Sequence, residues 1–219
     1  MNKQILIVAG VAVLAVAALL ATVIGRPNFA AMQPVNAAPA SKPTIENSSA
    51  ADSPGLRRDV FIAAARATRA PAIEAGGTWI NSDARTLEKE RGHVVVVDFW
   101  TFGCYNCRNT LPALKRWDSK YRDQGLTIIG VHTPESGYEK DLGNIRRAVR
   151  EQSIRYPVVT DIEGDTWRAY GIQAWPTTVI LDKQGRVRFT HIGEGMYDEM
   201  ENVIKKLLAE ESKQNGNQS

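Results

Sequence analysis

The chain has 219 residues, 43% of them hydrophobic and 23% charged, with 27 basic against 24 acidic side chains. That fits one ordinary globular domain with appendages, and the net charge of +3 comes with no basic run or aromatic-interleaved basic stripe, which argues against a nucleic-acid binder. Only two cysteines occur, as Cys104-Tyr105-Asn106-Cys107, which argues against a disulfide-stapled scaffold, where more cysteines would close longer loops.

From Ile5 to Gly25 the chain is apolar and carries no charge, and 21 residues suffice to cross a bilayer as a helix. Lys3 precedes this stretch, an arrangement that keeps the N-terminus inside and exports the remainder. A cleaved signal peptide is the competing reading. Its small-residue cleavage sites, Val35-Asn36-Ala37 or Ala38-Pro39-Ala40, lie well past the apolar stretch, so an uncleaved anchor is preferred. Residues 26–55 are rich in Ala, Pro, Ser and Asn and read as a flexible linker. The folded domain is expected over 56–211, with a polar tail over 212–219.

Within that domain, Leu56, Val60, Ala63, Ala64 and Ala67 predict a helix over 56–69. Thr78 to Asn81 is a short strand candidate, and His93 to Trp100, with four consecutive valines, suits a strand buried on both faces at the sheet centre. Leu111, Leu114, Trp117 and Tyr121 mark a helix containing Pro112, which should kink it, and Gly125 ends it. Leu126 to Val131 is a second buried strand, residues 140–152 an amphipathic helix, Tyr156 to Thr160 a short strand, and 165–170 a short helix. Thr177–Leu181 and Val187–Ile192, joined by a turn with Gly185, form an antiparallel hairpin, and a closing helix runs through Met200 to Leu208. The Gly193–Tyr197 stretch reads as the turn into that helix. This order describes a mixed β-sheet flanked by helices in an α/β domain.

A cysteine directly after a buried strand, at the start of a helix, has its thiolate favoured by free backbone N–H groups and the helix dipole. Cys104 is therefore the expected nucleophile, with Arg108 adding positive potential, and the sheltered Cys107 the resolving thiol. A plain structural disulfide is the blander alternative, although a two-residue loop gains little from closure. Zinc would need two further ligands from His93, His132, His191 or carboxylates, and no His-x₃₋₅-His spacing exists. Asp98, six residues before Cys104 in an apolar strand, either faces solvent or is buried; if buried, it could take a proton from Cys107 near neutral pH.

Val97-Asp98-Phe99-Trp100, Cys104-x-x-Cys107, Pro112 and Trp175-Pro176-Thr177 together resemble the thioredoxin superfamily. The stretches Asp98 to Cys107, Gly130 to Glu135, Ala174 to Thr177 and Gly193 to Tyr197 are most similar to TlpA/ResA-like proteins, specifically the DipZ-like branch. The resemblance runs from about Arg69 to Leu208. It implies a thioredoxin-like fold with an inserted segment and an N-terminal transmembrane helix, on the extracytoplasmic side of the inner membrane. It also implies a cis Pro176 opposite Cys104, its loop pairing with the substrate backbone. Trp175, Pro176 and Tyr105 are the expected substrate contacts, with a packing tryptophan as the alternative for Trp175, and no cofactor or metal is expected. The partners implied are protein disulfides and an integral-membrane thiol donor. Gly103 stands where ordinary thioredoxins carry tryptophan, Tyr105-Asn106 replaces their Gly-Pro, and Trp175 is bulkier than its counterpart, so the direction of electron flow does not carry over. The resemblance favours an exported enzyme that reduces protein disulfides; the readings left open are a disulfide-donating oxidase, a thiol peroxidase and a non-catalytic metal-binding module. A peroxidatic Pro-x₃-Thr-x₂-Cys run is absent.

Overall fold

The computed structural model describes residues 59–73 and 76–211. The anchor, linker and tail expected over 1–25, 26–55 and 212–219 lie outside the described residues. Among the described residues, no helix is long and apolar enough to cross a membrane.

Among the described residues, six strands form one mixed sheet: β1 (Trp79–Ile80), β2 (Val94–Trp100), β3 (Leu126–His132), β4 (Val158–Thr160), β5 (Thr177–Leu181) and β6 (Val187–Ile192). Their order is β1-β4-β3-β2-β5-β6. β2 pairs parallel with β3 and antiparallel with β5, so the valine run lies at the sheet centre and all seven of its residues are buried. The α-helices of the described residues that pack on the sheet are α1 (Tyr105–Tyr121), α2 (Leu142–Glu151), α3 (Asp165–Ala169) and α4 (Tyr197–Ala209). Successive crossovers β2–α1–β3 and β3–α2–β4 step in one direction across the sheet, which puts α1 and α2 on the same face.

The pleat of β2 separates the two halves of the core. Val94, Val96 and Trp100 face a cluster that includes Cys107, Leu114 and Trp117 of α1, Ile145 and Val149 of α2, and Met200 and Ile204 of α4. Val95, Val97 and Phe99 face a smaller cluster with Ala70, Ile73, Leu87 and Tyr170, against which Trp79 and Trp167 pack. Trp100 thus belongs to the core, as expected, and Trp79 is half-buried against it.

α1 runs through Pro112 and is followed by a 3₁₀ turn, Arg122–Gln124, capped by Gly125 at φ 95°. Only a glycine reaches that left-handed conformation without strain. Glu201 of α4 ties α1 down, accepting hydrogen bonds from Lys120 Nζ at 2.9 Å, Tyr121 Oη at 2.6 Å and Trp117 Nε1 at 3.3 Å. Lys120 and these other donors push the Glu201 carboxyl down to about 2. A carboxylate with a depressed folded pKa stabilises above its unfolded pKa, and that contribution is lost as pH falls through the folded one. Glu201→Gln is therefore expected to cost about 1–2 kcal/mol at pH 7, from weakened charge-assisted bonds. The deficit should shrink between pH 4.5 and 2, checked by urea unfolding across that range.

One expectation is corrected. The described part of the 56–69 stretch is not an α-helix; it contains a single 3₁₀ turn, Ala64–Arg66, and otherwise runs extended along the outer edge of β6. Asp59 and Ile62 N–H groups donate to Thr190 and Arg188 carbonyls at 2.7 and 2.8 Å, and Val187 N–H donates to Thr68 O at 2.8 Å. An uncovered β6 would present unpaired backbone groups, and satisfying them outweighs the weak helical periodicity. The buried Arg188 adds a side-chain clamp. It donates to Ile62 O at 2.7 Å and to Glu210 at 2.7 and 2.9 Å, and lies over the Phe61 ring.

Candidate active site

β2 ends at Trp100 in mid-sheet, and Thr101-Phe102-Gly103 turns the chain into α1. Cys104 is the N-cap residue of that helix: its φ/ψ of −71°/120° are extended, and its sulfur accepts the Cys107 N–H at 3.1 Å. The sulfurs of Cys104 and Cys107 are joined, with Cα atoms 5.3 Å apart. Cys104 is half-buried whereas Cys107 is 1% exposed, so an incoming thiol or disulfide can reach only Cys104. Position at a helix N-terminus and an N–H aimed at the sulfur both favour a Cys104 thiolate after reduction. Thiol–disulfide exchange is the chemistry this arrangement can support.

Asp98 is 1% exposed, which resolves the question in favour of burial. By strand alternation it lies on the face of β2 that carries Cys107's cluster. Burial pushes its carboxyl up to about 7, against a smaller opposing effect of the Thr178 hydroxyl, which donates to Oδ1 at 3.1 Å. Burial likewise raises the hydroxyl of Tyr156 well above its usual value, and the nearby Asp98 charge adds to this. Asp98 is thus a buried acid poised to gain or lose a proton near neutrality.

The Trp175–Pro176 bond is cis. Its loop is closed by Thr177 Oγ1 donating to Ala174 O at 2.7 Å and braced by Gly193 N–H donating to Pro176 O at 2.8 Å. Trp175 is half-buried, packs against the same cluster that Cys104 borders, and lies over Trp167 with ring centroids 4.5 Å apart. Tyr105 is 68% exposed beside Cys104, with the Arg108 guanidinium 5.8 Å from its ring centroid. The structure therefore brings Cys104 and Cys107 together at the N-terminal end of α1, with Asp98 on the face of β2 that Cys107's cluster covers, while Pro176 is buried. The Gly193–Met196 turn does more than lead into α4. Glu194 accepts a hydrogen bond from Asn109 Nδ2 at 2.8 Å, and Tyr197 Oη donates to Asn109 O at 3.4 Å, so it also holds the first turns of α1.

Three residues to which the sequence reading gave no part in the thiol chemistry, Glu139, Thr101 and His132, lie beside the dithiol turn. Glu139, in the 3₁₀ turn Gly137–Lys140, is 4% exposed and accepts the Gly103 N–H at 2.9 Å on Oε1. Its Oε2 accepts the N–H groups of Glu135 at 2.8 Å and Ser136 at 3.0 Å. Burial opposes its charge, but the Thr101 hydroxyl and these N–H groups prevail and hold the carboxyl below its ordinary value. Behind it, Thr101 Oγ1 lies 3.3 Å from His132 Nε2. His132 is fully buried, with Phe102 stacked on it at 5.5 Å, and burial pushes its imidazole down to about 4, so it is neutral. Ser136-x-x-Glu139 was a visible capping-box pattern. Its reach to Gly103, 36 residues away, had no local signal. The histidines a zinc site would need are dispersed: His132 is buried here, His191 pairs with Asp59 at 2.6 Å, and His93 precedes β2.

A profile of the AhpC/TSA family matches residues 67–190, more than half the chain. The chain belongs to the AhpC/TSA family. Among relatives, DipZ of Mycobacterium tuberculosis is 37% identical over 142 residues, 64% of this chain and 20% of DipZ. The chain thus spans about a fifth of DipZ. The thiol-disulfide oxidoreductase YkuV of Bacillus subtilis is 25% identical over 140 residues, 64% of this chain and 94% of YkuV. A crystal structure of a thioredoxin-like superfamily protein superposes with a TM-score of 0.62 at 26% identity, covering 67% of this chain and 99% of that one. The AhpC/TSA domain here is thioredoxin-like, and the expected likeness to DipZ- and ResA-type proteins is what the comparisons found.

Proposed function

We propose that the chain is an exported thiol–disulfide oxidoreductase that reduces protein disulfides outside the cytoplasmic membrane. The observation carrying this reading is the accessible Cys104 sulfur at the N-terminus of α1, bonded to a buried Cys107 above the buried Asp98. In the reduced protein the Cys104 thiolate attacks a substrate disulfide, forming a mixed disulfide and releasing one substrate thiolate. Cys107 then attacks Cys104, giving up its thiol proton to Asp98, and the second substrate sulfur leaves. An integral-membrane thiol donor restores the dithiol. Tyr105, next to Cys104 in the chain, and the Trp175–Pro176 loop form the surface on which the substrate segment lies. The uncharged stretch Ile5–Gly25, with Lys3 before it, is a single-pass anchor that leaves the domain on the extracytoplasmic side.

The Cys104–Cys107 couple in the full-length chain, equilibrated against glutathione and dithiothreitol, is expected to have a potential near that of thioredoxin, about −270 mV. A potential near −120 mV would make the protein a disulfide donor instead. Protease accessibility in intact and permeabilised cells tests the export: digestion only after the inner membrane is opened would reject it.

A further inference from the structure

The inserted segment between β3 and α2 reaches back to the dithiol through one carboxylate. Glu139 Oε1 sits on the N–H of Gly103, the residue directly before Cys104, while Oε2 is anchored within its own loop by Glu135 and Ser136. Residue 103 has to be glycine for this, because a Cβ there would run into Glu139 Oε1. Gly103 and Glu139 therefore form a matched pair. The Thr101 hydroxyl also bonds the carboxylate, and the neutral His132 lies 3.3 Å from that hydroxyl, so the Glu139 position is held by its own loop, by Gly103 and by Thr101.

We propose that Glu139 is a positioning residue whose carboxylate, held on the Gly103 N–H, makes the Cys104–Cys107 dithiol a stronger reductant. The inference rests on the oxidoreductase reading above. The Gly103 N–H, one residue before the helix N-cap, is a donor beside Cys104 that would otherwise be open to an anion, and here it is taken by a carboxylate. The fixed negative charge one residue from Cys104 further disfavours the thiolate. Arg108 on α1 acts in the opposite sense; Asp98 on β2 and Glu194, held by Asn109, are the other charged groups at this end of the helix. The redox step is exchange with a dithiol: one S–S bond breaks, another forms in the reductant, and the two electrons pass to Cys104 and Cys107. Of the reductant's two protons, one goes to Cys107, and the other goes to Cys104 or, when Cys104 stays ionised, to solvent. Anything that destabilises the Cys104 thiolate shifts this equilibrium toward the disulfide, which is what a lower potential means.

Two variants of the full-length chain test this, with potential and the pH profile of Cys104 alkylation as readouts. Glu139→Gln removes the charge, and Gly103→Ala pushes the carboxylate off the turn while leaving it ionised. Both are expected to move the equilibrium with glutathione about tenfold toward the dithiol, about 30 mV more oxidising, and to lower the midpoint pH of Cys104 alkylation. A merely structural Glu139 would leave both readouts unmoved in folded protein, and that result overturns the proposal. If Glu139→Gln does not fold, Gly103→Ala decides alone. A wild-type chain with no reversible couple removes the oxidoreductase reading itself; a wild-type couple with unshifted variants removes only the role of Glu139.

Discussion

Cys107→Ser is expected to accumulate a covalent mixed disulfide with substrate through Cys104, while Cys104→Ser forms none and loses reductase activity altogether. The asymmetry follows from exposure. Cys104 is half-buried at the helix N-cap and Cys107 is 1% exposed beneath it. With Cys107 removed, the first exchange proceeds but nothing inside the protein can release the substrate. Non-reducing electrophoresis of each variant after incubation with a disulfide-containing protein reads the outcome directly. Equal adduct from both variants would mean that either sulfur attacks, and the assignment of roles to the two cysteines would be lost.

Asp98→Asn should raise the protein's stability at pH 8 and leave it little changed at pH 4. Burial lifts the folded pKa of Asp98 from 3.8 to about 7. Below 3.8 the side chain is protonated in both states, and ionisation contributes no difference. Between 3.8 and 7 the unfolded chain ionises while the folded one does not, so wild-type stability falls as pH rises. Above 7 the loss is complete, and about 1.4 kcal/mol per pH unit over this interval makes it about 4–5 kcal/mol. Asparagine does not ionise and escapes this cost. The same substitution removes the proton acceptor for Cys107, so release of the mixed disulfide should slow most above neutral pH. Urea midpoints at pH 4 and pH 8, together with single-turnover rates, check both halves. A stability difference independent of pH would mean that Asp98 does not titrate in this range.

Such a stability cost is expected of a functional carboxylate. Asp98 interrupts an otherwise apolar central strand, where a valine or threonine would pack without an unfavourable charge. It lies on the face of β2 shared with Cys107, where the proposed proton transfer uses it.

The periodic features of the chain were legible without coordinates because they depend on neighbours close in sequence. Four valines in a row required a strand buried on both faces, the apolar residues from Leu111 to Tyr121 required a helix, and Asp182 to Gly185 required a turn. The Cys104–Cys107 spacing after a buried strand likewise determined the chemistry, since helix polarity and thiol reactivity are local effects.

What the tertiary structure decided depends on contacts distant in sequence. The stretch from Asp59 onward carries a helical pattern but lies extended, because the open edge of β6 supplies hydrogen-bond partners no local pattern records. Burial of Asp98 depends on β5 and Tyr156, 80 residues and 58 residues away, so its environment was undecidable from its own strand. The link from Glu139 to Gly103 crosses 36 residues and lies between a loop and a turn, where side-chain periodicity carries no information. Local propensity writes the elements and the dithiol; long-range packing decides which polar groups are dehydrated beside it, and so how its protons and electrons are held.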